Sequence, residues 1–221
     1  MGFTCGIVGL PNVGKSTLFN ALTASAAAAA ANYPFCTIEP NTGRVAMPDP
    51  RLETIAALAK SATVIPTQME FVDIAGLVRG ASKGEGLGNT FLAHIRAVDA
   101  IAHVLRCFED DNVTHVEGGV DPVRDAEIVL TELMLADLDS LERRTETTAK
   151  RARGGDAEAK ADLRVMEPAL AVLREGRPAR TAFIADDDRK RFQMLQLMTA
   201  KPMLYVCNVD EASAVDGNAF T

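Results

Sequence analysis

Phe3-Thr4-Cys5-Gly6-Ile7-Val8-Gly9-Leu10-Pro11-Asn12-Val13-Gly14-Lys15-Ser16 joins a short apolar run to the pattern Gly-x-x-x-x-Gly-Lys-Ser. The apolar run, bounded by glycines, reads as a buried strand. Helix-forming residues follow from Thr17, so the pattern sits where a phosphate cradle needs it, between a strand and a helix. Glycines let the backbone curl until successive N–H groups, here those from Asn12, Val13 and Gly14 through Lys15 and Ser16 to Thr17, point at phosphate oxygens. The helix start behind them adds its positive dipole end. Lys15 is expected to reach the β- and γ-phosphates of a nucleoside triphosphate, and the Ser16 hydroxyl to ligate Mg2+.

A phosphate cradle alone does not separate kinases from hydrolases. Phe71-Val72-Asp73-Ile74-Ala75-Gly76 makes the distinction, because an apolar strand ends in an acid and a glycine follows. Asp73 is placed to hold Mg2+ through a water, and the Gly76 N–H to touch a γ-phosphate. A loop released on loss of that contact is a nucleotide switch. Thr37, in the loop after the first helix, is the natural second hydroxyl for the metal. No acceptor site or lid of a kinase is visible.

Outward from these motifs, residues 43–47 and 68–74 predict two further strands. The helix between them, over Arg51–Lys60, puts Leu52, Ile55, Ala56 and Ala59 on one face. A helix over Thr90–Val98 precedes a buried strand over Ala100–Phe108, and Lys201-Pro202 introduces a last strand, Met203–Cys207. Strands alternating with helices imply an α/β fold with a mostly parallel sheet covered on both faces. The alanine tract Ala26–Ala31 extends the first helix, and Pro34 stops it in an extended loop. The glycines from Gly76 to Gly88 predict a mobile loop.

Between Asp125 and about Gly176 the rhythm changes. An apolar helix carrying Ile128, Leu130, Leu133, Leu138 and Leu141 turns polar after Glu142, and Gly154-Gly155 marks a reversal. Leu163, Met166, Leu170 and Leu173 then repeat at helical spacing. This pattern predicts an antiparallel helical hairpin projecting from the core. The expected division is 1–124 with 200–221 for the nucleotide domain and 125–199 for the insertion. Pro168 is expected to kink or divide the second helix.

Apolar residues make up 48% and charged residues 24% of the 221, ordinary for a globular protein with one good core. Met1 leads directly into the first strand, so neither a secretion signal nor a membrane span is expected. Cys5, Cys36, Cys107 and Cys207 form no Cys-x-x-Cys pair. Three of them lie in strand-like runs, which predicts buried free thiols in a reducing, cytoplasmic setting. Cys36, beside Thr37, is the cysteine expected to be exposed. It reads either as an inert thiol or as one whose oxidation disturbs the metal site. The formal net charge of −7 argues against nucleic acid binding over the whole surface, and DNA is not an expected partner.

Gly9–Ser16, Asn32–Asn41, Asp73–Asn89, Arg106–Asp110, His115-Val116, Leu133–Leu138 and Tyr205–Val209 together resemble the YchF/Obg-like ATPases over essentially the whole chain. The resemblance implies a Ras-like P-loop NTPase fold with a coiled-coil insertion, ATP as substrate and the ribosome as partner. It also implies a small C-terminal TGS domain that this chain does not reach, and hence a longer protein. Thr23–Ala31 is richer in alanine than the family pattern, a difference that bears on helix length and not on chemistry.

Several positions refine what the resemblance implies. Guanine-specific relatives read the base with Asn-Lys-x-Asp, whereas this chain has Asn208-Val209-Asp210-Glu211. Asn208 and Val209 are expected to line an adenine base; Glu211 can still accept from guanine, so GTP stays open. Leu77 stands where many switch GTPases carry a water-orienting glutamine. The family pattern transfers that role to His115, an imidazole suited to orienting water or handling a proton, beside Lys15 in the catalytic pair. Asn12 is similar to the P-loop asparagine of potassium-activated relatives, where K+ supplies transition-state charge. His94 and His103 read as structural. Arg143, Arg144, Lys150, Arg151 and Arg153 read either as a solvated helix face or as a contact to ribosomal RNA. Three functions remain at this point: an ATP-hydrolysing switch, a GTP-hydrolysing switch, and a nucleotide-dependent binding module whose hydrolysis is incidental.

Overall fold

The computed structural model describes residues 2–23, 41–74, 76, 87–110 and 112–221. The strands β1 (Phe3–Val8), β2 (Asn41–Ala46), β3 (Gln68–Asp73), β4 (Ala100–Arg106) and β5 (Met203–Asn208) form one sheet in the order β2-β3-β1-β4-β5. β1 runs parallel to β3 and β4, and β4 parallel to β5; β2 is antiparallel to β3. From β1 the chain builds outward to β3 on one side and then to β4 on the other. That makes the carboxyl end of β1 a topological switch point, where open α/β sheets bind their ligands.

Local chemistry explains the elements. Ile7 and Val8 of β1 are fully buried, with Ile74, Ile95 and Ile101 around them. The helix α1 (Lys15–Thr23) follows the predicted cradle. In α2 (Pro50–Ala59), Asp49 caps the start by accepting from the Arg51 N–H, and Pro50 takes a first-turn position where no N–H is needed. The apolar face expected of α2 is not packed away: it contains no buried residue, and Ile55 and Leu58 are exposed. β2 and β3 are antiparallel neighbours, so their connection need not cross a sheet face, and α2 is left outside the core. After α3 (Leu87–Ala97) and β4, the chain enters α4 (Pro122–Arg153), the first arm of the predicted hairpin.

The second arm is α5 (Ala157–Arg174), whose start Asp156 caps by accepting from the Ala159 N–H at 3.0 Å. α5 is not divided at Pro168. Val165, Met166, Ala169 and Leu170 flank the proline and are buried in a cluster with Leu141 of α4. Their burial, about 1.5–3 kcal/mol for each large side chain, outweighs the roughly 3 kcal/mol that an interior proline costs.

α4 serves two cores. Its Val129, Leu133 and Ala136 join the core of the sheet, while Leu141 joins that of the hairpin. Asp137 lies where one gives way to the other. Its buried carboxylate accepts from the Met198 N–H at 3.0 Å and from the Thr199 N–H and hydroxyl at 2.8 and 2.7 Å. Cys5 and Cys107 are buried as expected, but Cys207 is exposed because β5 is an edge strand. Among the described residues, no helix is long and apolar enough to cross a membrane.

Candidate nucleotide site

The turn between β1 and α1 begins at Gly9, where φ is +152° and a Cβ would stand 2.5 Å from the Val104 carbonyl oxygen. Only glycine fits there. Asn12 takes a left-handed φ of +61°, a conformation asparagine tolerates, and its Nδ2 donates to the Thr114 carbonyl at 3.1 Å. Val13 is buried, and its carbonyl accepts from Asn208 Nδ2 at 3.1 Å. The Asn208 amide lies so close to Gly14 that a Cβ there would collide with it. The end of β5 is thereby tied to the cradle through Asn208, with Val209 next in the chain. Thr17 faces solvent on the first turn of α1.

Lys15 opens α1 and is buried, with Nζ donating to the Leu10 carbonyl at 2.7 Å. Burial pulls its pKa down to about 8, and the nearby Asp73 charge only partly offsets this. Ser16 Oγ donates to Asp73 Oδ2 at 2.7 Å. Burial raises the Asp73 carboxyl pKa, while the Ser16 hydrogen bond and the Lys15 charge pull it the other way. Asp73 Oδ1 is buried without a hydrogen-bond partner among the described residues. A carboxylate oxygen left in that condition is costly. Beside a hydroxyl, it makes an oxygen pair of the kind Mg2+ takes, so the residues fit the metal. Gly76 abuts the cradle: a Cβ there would approach Pro11 N to 3.0 Å. Thr37, Cys36, Leu77 and the alanine tract lie outside the described residues.

His115 lies in the loop between β4 and α4. Arg106, at the end of β4, builds that loop from within, donating to the carbonyls of Phe108, Val113 and Asp110 at 3.0, 2.7 and 3.1 Å. The Glu117 N–H donates to His115 Nδ1 at 3.1 Å, so the ring proton is on Nε2. Nε2 faces Asp125 Oδ2 at 2.8 Å. Arg124 holds the other Asp125 oxygen through Nε and Nη2 at 3.1 and 2.9 Å. Both ring nitrogens of His115 are therefore taken by Glu117 and Asp125, not by the cradle, and its side chain is only 5% exposed. The loop touches the cradle one residue earlier, at Thr114.

The parts played by Asp125 and Arg106 are not evident from the local sequence pattern. An acid in the first turn of a helix reads as a dipole partner, which hides its pairing with a histidine. For Arg106 a signal existed: an arginine ending an apolar strand is suited to serving carbonyls. Asp210 caps the short turn Glu211–Ser213, accepting from the Ser213 N–H at 2.9 Å and hydroxyl at 3.1 Å. His103 is fully buried, both nitrogens without a partner among the described residues, its ring centroid 5.5 Å from that of Tyr205. Burial, with Lys15 adding to it, pulls the His103 pKa down to about 4. Of the five hairpin cations singled out from the sequence, three are ion-paired, one donates to a carbonyl, and Arg153 is exposed. Arg143 pairs with Asp139, Lys150 with Glu146, Arg151 with Asp156, and Arg144 donates to the Leu195 carbonyl.

A family model described as 50S ribosome-binding GTPase matches residues 4–139. The chain is 59% identical over 211 residues to a Haemophilus influenzae protein named ribosome-binding ATPase YchF, covering 96% of this chain and 58% of that one. The chain belongs to the YchF/Obg-like family of P-loop NTPases. A Bacillus subtilis YchF of the same name is 50% identical over 216 residues, 98% of this chain and 59% of its own. The Schizosaccharomyces pombe YchF GTPase structure superposes with a TM-score of 0.74 at 40% identity, over 96% of this chain and 58% of that one. The YchF/Obg-like architecture, a Ras-like α/β P-loop fold with an inserted helical hairpin, is the one seen here. The chain spans 58% of the length of the H. influenzae YchF.

Proposed function

We propose that this chain is the nucleotide-binding part of a Mg2+-dependent nucleoside triphosphatase that prefers ATP and acts as a switch on the ribosome. The observation that carries the reading is the Ser16–Asp73 hydrogen bond beside buried Lys15, with Asp73 Oδ1 unpaired. Ser16 and Asp73 would hold Mg2+, with Thr37 the expected further hydroxyl. When bound, the metal supplies positive charge against the phosphate oxygens. Lys15 holds the β- and γ-phosphates, and the N–H groups from Asn12 to Thr17 cradle them. Asn12 commits its amide nitrogen to Thr114, which leaves its amide oxygen to take K+. His115 orients the attacking water in place of a glutamine. Measurement of kcat for His115→Ala tests this, with a loss of about 10²–10³-fold at nearly unchanged nucleotide affinity expected. Equal rates in NaCl and KCl would remove the K+ role.

Adenine preference is supported by Val209 standing where guanine readers have lysine, and by the longer acid Glu211 where they have aspartate. Exposed Glu211 and the GTPase named in both the family model and the S. pombe relative favour GTP as the second reading. Affinities of the full-length protein for ATP and GTP with Mg2+ discriminate them. Preference for GTP by more than about tenfold, roughly 1.4 kcal/mol, overturns the ATP assignment. The ribosome is proposed from the names of the bacterial relatives, ribosome-binding ATPases. The ion pairs of Arg143, Lys150 and Arg151 favour a solvated helix face over an RNA contact at those three cations. Cosedimentation with ribosomes in the presence of a non-hydrolysable ATP analogue tests the association.

A further inference from the structure

We infer that Asp125 is a latch: it holds His115 in reserve, away from the reacting phosphate, and ties its release to movement of α4. The inference rests on the reading of His115 as the water-orienting group. As it stands, His115 has no atom to offer a water. Nδ1 accepts from the Glu117 N–H, Nε2–H points at Asp125, and the side chain is nearly sealed from solvent. To reach the phosphate, the ring must leave Asp125. The latch is built to be firm, because Asp125 is 1% exposed and Arg124 grips its second oxygen while also donating to the Gly119 carbonyl at 2.6 Å. Charge-assisted bonds in such surroundings are strong and directional.

The latch is placed to be worked from two sides. Thr114, next to His115, accepts from Asn12 of the cradle, so rearrangement of the phosphate loop acts on one end of this segment. Asp125 belongs to the first turns of α4, the helix that continues into the hairpin, so displacement of the hairpin acts on the other. Arg106 keeps the preceding part of the loop in one shape, which concentrates any movement at residues 114–117. Hydrolysis is then slow until nucleotide and partner together draw His115 off Asp125, a population shift between two arrangements of one loop.

A double-mutant cycle in the full-length protein reads the latch through kcat. Asp125→Asn keeps the shape but weakens the hold. It is expected to raise kcat by about threefold or more, with KM changed by less than about twofold. In a His115→Ala background the same substitution is expected to leave kcat unchanged. A folded Asp125→Asn protein whose kcat is equal to or below that of the wild type, where His115→Ala is itself slow, overturns the latch and leaves Asp125 a supporting contact. If His115→Ala has wild-type kcat, the water-orienting reading fails first and the latch with it. Where Asp125→Asn does not fold, nitrogen-15 imidazole NMR of the unaltered protein decides. The Nε2–H resonance of the Asp125-bound tautomer is expected in the nucleotide-free protein and lost in the ADP–aluminium fluoride complex with Mg2+. Its persistence in that complex overturns the proposal.

Discussion

Ser16 donates its hydroxyl proton to Asp73 at 2.7 Å, so the two expected metal ligands already face each other across the gap between α1 and β3. The hydroxyl satisfies one carboxylate oxygen and leaves the other bare. Asp73→Asn removes the charge that a divalent cation needs while preserving shape. The gain in nucleotide affinity on adding Mg2+ should fall by about 10²-fold, roughly 2.7 kcal/mol. The nucleotide-free protein should be as stable as before or more so, because a buried charge has become an amide. Titration calorimetry with Mg2+ and with EDTA checks the first part, and thermal unfolding the second. Undiminished Mg2+ dependence would remove Asp73 from the metal site.

Lys15 is a cation kept in a buried place beside the proposed phosphate cradle. Its pKa, about 8 from burial, measures how poorly the nucleotide-free site suits an ammonium group. Lys15→Met should therefore abolish triphosphate binding without harming the empty protein. We expect affinity to drop by about 10²-fold or more and the melting temperature to hold or rise. A variant that unfolds would mean that the Leu10 contact matters more to stability than the burial of charge does.

His103 sets a pH dependence whose sign can be worked out. Its folded pKa, about 4, lies below the ordinary 6.5, so the unfolded chain binds more protons between those values. The contribution to stability is complete above about pH 6.5 and is lost as pH falls toward 4, by about 3 kcal/mol in all. His103→Phe should remove that loss. It should also gain about 1 kcal/mol at pH 7 by eliminating two unpaired buried nitrogens. Urea unfolding of both proteins at pH 7 and 4.5 tests this; equal acid sensitivity would assign the loss to other groups.

Asp137 is the acceptor for three donors at the root of the hairpin. Asp137→Ala leaves the Met198 and Thr199 N–H groups and the Thr199 hydroxyl without it, and should destabilise by about 3 kcal/mol or more. Proteolysis is expected to cut first near 195–200, where the support is lost. Wild-type resistance there would show that packing alone holds the junction.

The cradle, the acid-ended strand and the hairpin were legible because each rests on local pattern: an apolar run, a glycine spacing, an apolar repeat with a glycine reversal. What depended on distant contacts was not. The exposed face of α2 and the exposure of Cys207 follow from which strands take the edges, which no local run reveals. Pro168 warned of a break that its buried neighbours override. In the candidate site, Lys15, Ser16 and Asp73 were readable from motif alone. The pairing of His115 with Asp125 was hidden because the acid lies on the next element, where a first-turn carboxylate has an ordinary explanation.

Length gives α4 a further property. Its 32 residues extend about 48 Å at 1.5 Å per residue. A tilt of one degree about its first turn moves the far end by about 0.8 Å over that span. Read in the other direction, a push of several ångströms at the hairpin tip turns the Asp125 end by only a few degrees. Asp125, about 4.5 Å along the helix from that pivot, is then shifted by only a few tenths of an ångström, a fine strain on its 2.8 Å contact with His115. The hairpin is thus geared: coarse motion at its tip becomes fine adjustment at Asp125.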